Sequence, residues 1–265
     1  MEGEGPPLFH SSRYAARMCP PFVIERLARV DSTQAEARRR LELGEAPRHL
    51  VLVADEQTAG RGRRGHKWFA RAQSSLMFSA VLAPPTIERP ARFLLLVAVA
   101  AARALESCGC AGISIKWPND LFVGDRKLGG LIAEQVRGPE GSALLLGVGL
   151  NLSAPEPPMP PEIARRSSHA NLAPGFDTRD RVLAALLEQL SELLEALQTP
   201  AEAGWREEFR RRSWLDGREV EILHAGQRFV ARIDSVSDEG DLLLTDGRVL
   251  QGEHVESVQL GPGSP

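Results

Sequence analysis

Cysteine is scarce in this chain, histidines are scattered, and there is neither a basic excess nor a long apolar run. Each scarcity excludes something. Cys19, Cys108 and Cys110 form neither an even disulfide set nor a metal-ligand array, so they read as free thiols of a reducing compartment. The six histidines contain no HExxH motif and no usable Ser-His-Asp or Cys-His spacing. Nothing therefore points to a covalent enzyme intermediate or a dedicated metal cage, and no metal ligand is assigned. The longest apolar stretch, Phe93 to Ala102, is too short to span a bilayer. The N-terminus, Met-Glu-Gly-Glu-Gly-Pro-Pro, lacks the basic and then apolar pattern of a signal peptide. A cytoplasmic protein without a membrane partner is expected. Lys plus Arg total 32 against 35 Asp plus Glu, a net charge of −3, which argues against a life on the phosphate backbone of nucleic acid.

At 265 residues and 43% hydrophobic content, one large domain with a small appendage is expected. The one strongly basic stretch is local: Gly60-Arg61-Gly62-Arg63-Arg64-Gly65-His66-Lys67-Trp68. Closely spaced glycines let backbone N–H groups turn toward a bound group. Arginines add planar donors that match carboxylate or phosphate oxygens, and tryptophan offers a flat face for a ring. The composition predicts a loop over an anionic ligand that carries a ring, mobile when empty and ordered over its ligand.

The remaining pattern alternates strands and helices. Residues 1–20 read as a tail, Phe22–Val30 as a strand or turn, and Gln34–Leu43 as a helix capped by Asp31 or Ser32 and stopped at Gly44. His49–Asp55 and Ser75–Ala83 are expected strands, the second closed by Pro84-Pro85, and Arg92–Ser107 an apolar helix. Three strands follow, Ile113–Trp117, Lys127–Val136 and Ser142–Leu152, joined at Gly124-Asp125 and Gly138–Gly141. Five prolines within 155–161 demand a loop. Leucines at helical spacing mark Arg179–Leu197, and a further helix runs from about Pro200 to Arg212. From Trp214 onward, short strands with Gly-containing turns predict a small barrel. The expected organisation is a tail over 1–20, a main domain over 21–213 and a β domain over 214–262.

Three further stretches carry chemistry. Lys116-Trp117-Pro118-Asn119-Asp120 ends a strand, so Lys116 is placed as a point charge for developing negative charge. Asn119 and Asp120 serve as turn residues, or Asp120 as a partner of a phosphate-bound metal. Lys127–Glu134 and Gly147–Asn151 each put two glycines into a central strand, which predicts a slot for a flat ligand at Gly129, Gly130, Gly147 and Gly149. Ser32 and Thr33, at a helix start, and Gln57, before the basic loop, can serve a small polar head group.

Together GRGRRGHKW, KWPND, KLGGLIAE and GVGLN, in this order, resemble the biotin–protein ligase family in its monofunctional form, over roughly residues 22 to 260. The resemblance implies an α+β fold. A mixed central sheet flanked by helices, like that of class II aminoacyl-tRNA synthetases, carries a C-terminal SH3-like β-barrel. It also implies an ATP-dependent ligase that makes biotinyl-5′-AMP and passes biotin to a lysine of the biotin carboxyl carrier protein of acetyl-CoA carboxylase. ATP, with its Mg²⁺, and biotin are the implied ligands. Lys116, Arg61 and Arg63 are the implied catalytic residues. Ser32, Thr33, Gln57, Gly60, Arg61, Arg63, Lys116, Gly129, Gly130, Gly147 and Gly149 line the implied biotin site. Arg63, Arg64, Trp68, Asn119 and Asn151 form the implied nucleotide site. Gln34 and His66 depart from the residues frequent at their positions, and no Arg or Lys stands in Ser257-Val-Gln259. Too few residues precede the catalytic region for the helix-turn-helix of bifunctional members, so no nucleic-acid binding is expected. The family forms monomers or homodimers. A lipoate or octanoate ligase is the nearest rival, disfavoured by the GRGRRG and KWPND stretches.

Overall fold

A computed structural model describes residues 22–83, 90–156, 158–172, 176–197 and 204–261. The expected tail, the Pro84-Pro85 stop and the Pro200 helix start lie outside the described residues. The first sheet contains β1 (Val23–Val30), β2 (Leu50–Gln57), β3 (Ser75–Leu82), β4 (Ile113–Lys116), β5 (Asp120–Val123), β6 (Arg126–Gly138) and β7 (Gly141–Asn151). Its strand order is β1-β2-β3-β7-β6-β5-β4; the β1–β2 pair is parallel and the others antiparallel, so the sheet is mixed. The sequence reading has no counterpart of β5. Its four residues follow the turn at Pro118 so closely that KWPND reads as one strand end.

Every residue of β3 is buried, which places it between two packed layers. Its odd-numbered residues face α1 (Thr33–Leu43), where Leu41, Val81, Leu145 and Val136 form a small apolar cluster. Its even-numbered residues face the main core with α2 (Pro90–Ser107) and α4 (Phe176–Ala196). Ser32 caps α1 by accepting from the Ala35 N–H at 3.4 Å, and Gly44, with φ of 74°, closes it in the left-handed conformation. After the proline-rich loop, α3 (Pro161–Ala164) is a single turn.

Beyond α5 (Trp205–Arg212), the strands β8 (Glu219–His224), β9 (Gln227–Val236), β10 (Leu242–Leu244), β11 (Val249–Leu250) and β12 (Val255–Leu260) form a second, antiparallel sheet in the order β11-β10-β9-β8-β12. One hydrophobic core runs through both sheets and includes Leu121, Trp117, Ile233 and Leu242. Trp117 is the pin between them. It is buried, its indole N–H donates to the Gly240 carbonyl at 2.9 Å, and Gly252 lies against its ring. Among the described residues no helix is long and apolar enough to cross a membrane.

Gly129 shows how tightly β6 and β7 are joined. A Cβ there would fall 2.5 Å from Leu150 Cδ2 and 2.7 Å from the Gly149 carbonyl oxygen. The backbone cannot retreat without opening the ladder, so Gly129→Ala is expected to destabilise the protein by about 1–3 kcal/mol. Thermal unfolding checks this; an unchanged midpoint would contradict the close packing.

Candidate active site

A single register row crosses the α1 face of the sheet: Ala54, Met77, Gly149, Gly130, Asp120 and Lys116 lie side by side on successive strands. The next row carries Ser79, Gly147 and Ile132. Helix α1 covers one end of this face, and over the glycines a cleft of ≈ 440 Å³ remains. It is lined by Ser32, Thr33, Gln57, Arg61, Arg63 and Trp68, with Asn119, Lys127, Gly130, Gly147 and Gly149 opposite. A roomier groove of ≈ 950 Å³ lies between α5 and β9, but of the motif residues it contains only Trp117.

The glycines do different jobs. Carbons Cε2 and Cζ2 of Trp68 sit 2.6 and 2.8 Å from where a Gly149 Cβ would be, so the indole lies flat on that bare backbone. Its N–H is buried without a partner among the described residues. At Gly130 the missing Cβ leaves room for Lys127 Nζ at 3.1 Å and Asp120 Oδ1 at 3.2 Å. Gly147 makes room for the Gln34 amide and Ile132. Gly129 faces the core and belongs to the packing rather than to the cleft.

The basic loop is a tight hairpin closed by protein contacts. Arg61 and Lys67 form an antiparallel bridge, the Gly62 N–H donates to His66 O at 2.7 Å, and the Trp68 N–H donates to Gly60 O at 2.9 Å. A Cβ at Gly60 would meet the Trp68 carbonyl at 2.8 Å. Arg63 donates to Asn119 Oδ1 at 3.1 Å and to the Gly252 carbonyl at 3.3 Å; Arg64 donates to the Glu253 carbonyl at 2.7 Å. The loop's arginines thus reach from the hairpin to the second sheet.

Arg63 is the electrostatic centre. Its hydrogen-bond acceptors are neutral, and burial together with the Arg64 charge pushes its pKa below the ordinary guanidinium value, while Asp120 opposes that shift. A half-buried cation held by uncharged acceptors is a preorganised site for an anion. Lys127 adds a second cation, paired to Asp120 at 2.7 Å and lying 6.0 Å from the Trp68 ring centroid. The neutral end of the cleft is a hydroxyl and amide network. The Thr33 N–H donates to Gln57 Oε1 at 2.7 Å, the Thr33 hydroxyl reaches the same oxygen at 3.2 Å, and Ser79 Oγ lies 2.9 Å from Thr33 Oγ1. Gln57 Nε2 then meets only the weakly accepting Met77 sulfur at 3.1 Å, which leaves it donor capacity for a ligand.

A family model described as the Biotin/lipoate A/B protein ligase family matches residues 27–151. The biotin--[acetyl-CoA-carboxylase] ligase of Mycobacterium tuberculosis is 28% identical over 232 residues, covering 84% of either chain. The Bifunctional ligase/repressor BirA of Bacillus spizizenii is 30% identical over 148 residues, 55% of this chain and 45% of that relative's own length. The biotin protein ligase of Aquifex aeolicus, solved in complex with biotin and ATP, superposes with a TM-score of 0.75 at 26% identity, covering 90% of this chain and 99% of that one. The chain is thus similar to members of the biotin/lipoate A/B protein ligase family, and its fold is that of biotin protein ligase structures.

Within this ligase fold, the structure redistributes several residues named from sequence. Lys116 does not line the cleft. It ends the register row two strands, about 10 Å, beyond Gly130, with its ammonium 5.0 Å from the Trp214 ring and 5.3 Å from that of Phe122. Gly60 and Arg64 lie outside the cleft as well, Arg64 at its mouth. Asn151 sits at the end of β7 with both polar ends engaged, accepting from the Ser75 hydroxyl and donating to the Ser168 carbonyl. Asn119 does line the cleft, as a bracket: its amide donates to Leu131 O at 2.7 Å while its oxygen takes Arg63. Lys127, Gln34 and Ser79 are the polar side chains of the cleft that the sequence reading did not assign to the site. For Lys127 the reason is a β-bulge. The register shift between Leu121 and Phe122 inserts a residue into β6, so Lys127 shares the cleft face with Gly130, three positions away, which plain alternation forbids.

Burial pushes the Lys116 ammonium below its ordinary value of 10.5, with Lys127 adding to the shift and Asp120 opposing it. Between the lowered folded value and 10.5 the unfolded chain holds a proton that the folded chain has released. Stability should therefore rise with pH through that window relative to a Lys116→Met protein. Denaturant unfolding of both proteins at stepped alkaline pH checks the sign; parallel curves would show that Lys116 is not desolvated.

Proposed function

We propose that the chain is an ATP-dependent biotin–protein ligase. In the first step a biotin carboxylate oxygen attacks the α-phosphorus of ATP; the bond to pyrophosphate breaks, and biotinyl-5′-AMP forms. In the second, the ε-amine of a carrier-protein lysine attacks the acyl carbon and AMP leaves with the bonding electrons. Substrate groups make both attacks, so the enzyme must supply orientation, charge neutralisation and exclusion of water.

The observation that carries this reading is the half-buried Arg63, hydrogen-bonded only to neutral oxygens, beside Lys127 and Trp68 and facing a hydroxyl and amide pocket at the other end of one cleft. An acyl-adenylate has that distribution: a ring system, a central anion and a second ring. Thr33, Gln57 and Ser32 serve the biotin ring end; Arg61 and Arg63 serve the carboxylate and phosphate; Trp68 serves adenine. The charge role that the sequence reading gave to Lys116 passes to Lys127, because Lys127 faces the cleft. Mg²⁺ enters as the partner of ATP; no cluster of three His, Cys, Asp or Glu occurs among the described residues, and the chain's own contribution at the phosphates is cationic. The names of the relatives support the biotin carboxyl carrier protein of acetyl-CoA carboxylase as the acceptor.

Biotin-dependent exchange of pyrophosphate into ATP, followed by transfer to an apo-carrier domain, tests the reading. Exchange driven by lipoate and not by biotin would overturn it. Lys127→Ala should lower the rate of adenylate formation by about 10²–10³-fold, the scale of one lost oxyanion donor, and Lys116→Ala by far less. The opposite ranking would restore Lys116 to the chemistry. Gly149→Ala should displace the Trp68 ring and raise KM for ATP more than KM for biotin; equal effects would contradict adenine stacking on that indole.

A further inference from the structure

Lys116 is a cation that the cleft itself leaves unused. It stands directly opposite Asp120 on β5, and Asp120 stands opposite Gly130 on β6, so all three share the face on which the cleft lies. The carboxylate beside it is committed elsewhere, since Asp120 Oδ1 takes Lys127 at 2.7 Å. Asp125, which receives the Trp214 indole N–H at 3.0 Å, is likewise held by Arg218 at 2.7 Å. Lys116 is half-buried, and its ammonium has no hydrogen bond or ion pair among the described residues; its neighbours are the rings of Trp214 and Phe122. Aromatic rings attract an ammonium, but its three donors still lack an oxygen.

Three cations, Arg63, Lys127 and Lys116, therefore stand on this part of the face with one carboxylate, Asp120, among them. The order across the sheet gives them different places. The hydroxyl and amide pocket lies over β2 and β3, Lys127 and the Asn119-bound Arg63 over β6 and β5, and Lys116 on β4, the last strand. Displacement at phosphorus is in line, with the attacking oxygen and the leaving group on opposite sides. A carboxylate that attacks from the β2–β3 end, with the α-phosphate at Arg63 and Lys127, sends its leaving group toward β4.

We infer that Lys116 forms the pyrophosphate subsite, its ammonium donating to β- or γ-phosphate oxygens of ATP and then to the departing pyrophosphate. The inference rests on the ligase reading above and adds to it the place of the leaving group. The bond from the biotin oxygen to the α-phosphorus forms, the bond from the α-phosphorus to the bridging oxygen breaks, and pyrophosphate keeps the electron pair. Lys116 meets that charge and transfers no proton. Because it touches the same oxygens in ATP and in pyrophosphate, it contributes to binding more than to the rate of the saturated enzyme.

Calorimetric titration of magnesium pyrophosphate into the full chain tests the subsite without turnover. The parent should bind it, Lys116→Met should bind about tenfold more weakly, and Lys116→Arg, which keeps the charge, should stay near the parent. Equal affinities of the parent and Lys116→Met would overturn the inference. Should the methionine variant fold poorly, Lys116→Gln in the same titration decides. In biotin-dependent pyrophosphate exchange, Lys116→Met should raise KM for ATP and for pyrophosphate by a similar factor, with KM for biotin as in the parent. Biotinyl-5′-AMP supplied ready-made carries no β- or γ-phosphate, so its transfer to an apo-carrier domain should be spared. A variant slowed equally in both halves has a structural defect, and the subsite is then refuted. If pyrophosphate binds through Lys116 but biotin drives no exchange, the functional reading fails and the anion site stands. Exchange with a KM for pyrophosphate that ignores Lys116 removes the subsite and leaves the reading intact.

Discussion

A half-buried guanidinium whose hydrogen bonds go only to neutral oxygens is the constraint on which the site depends. Arg63 reaches two neutral oxygens, one on Asn119 in the turn after β4 and one on Gly252 in the second sheet. Desolvating a cation is costly, and two neutral acceptors do not cancel that cost. The arrangement persists because each acceptor is itself fixed: Asn119 is tied to Leu131 on β6, and Gly252 lies against the ring of Trp117. The residual field points into the cleft. An anionic ligand gains from it without further rearrangement of the protein.

This bracket also explains why the small antiparallel sheet matters to a site it hardly lines. Its contribution is made by backbone carbonyls at Gly240, Gly252 and Glu253, which receive Trp117, Arg63 and Arg64. Carbonyl acceptors make no demand on side-chain identity. The missing basic residue in Ser257-Val-Gln259 is thus compatible with a sheet that holds the loop from behind.

The cleft itself is a product of omission. Where the sheet carries Gly130, Gly147 and Gly149, the volume that side chains would fill is taken by groups from elsewhere in the chain: the Lys127–Asp120 pair, the Gln34 amide and the Trp68 indole. Each of these brings a polar or aromatic group rather than an aliphatic plug, and each lies against the bare backbone. Packing at the density of a protein interior is what gives these polar groups defined positions. The same face becomes ordinary apolar core one row further on, at Val81 and Leu145 under α1.

Much of this was legible from residues alone. The periods of α1, α2 and α4, the Gly44 stop, the basic loop and the paired glycine strands are local signals, carried by propensity and spacing within a few positions. Boundaries shifted by one to three residues, and the short strand Asp120–Val123, the single turn α3 and the two-residue β11 had no clear counterpart, since so few residues carry too little pattern to see. The cleft residues at Thr33, Gln57, Arg63, Trp68 and the glycines also followed from composition and motif order. What the sequence could not decide was which lysine faces the cleft. Lys116 and Lys127 both stand near strand ends beside apolar residues, and simple alternation from Gly130 puts Lys127 on the wrong face. A bulge against β5 reverses that parity, and Trp214, nearly a hundred positions away, covers Lys116. The orientation of the Gln34 amide likewise depends on Glu134 and Leu145 from two other strands. Local residue types determined what chemistry was present; strand register and distant packing decided which groups share one cleft, because both are set by contacts that no short stretch of chain contains.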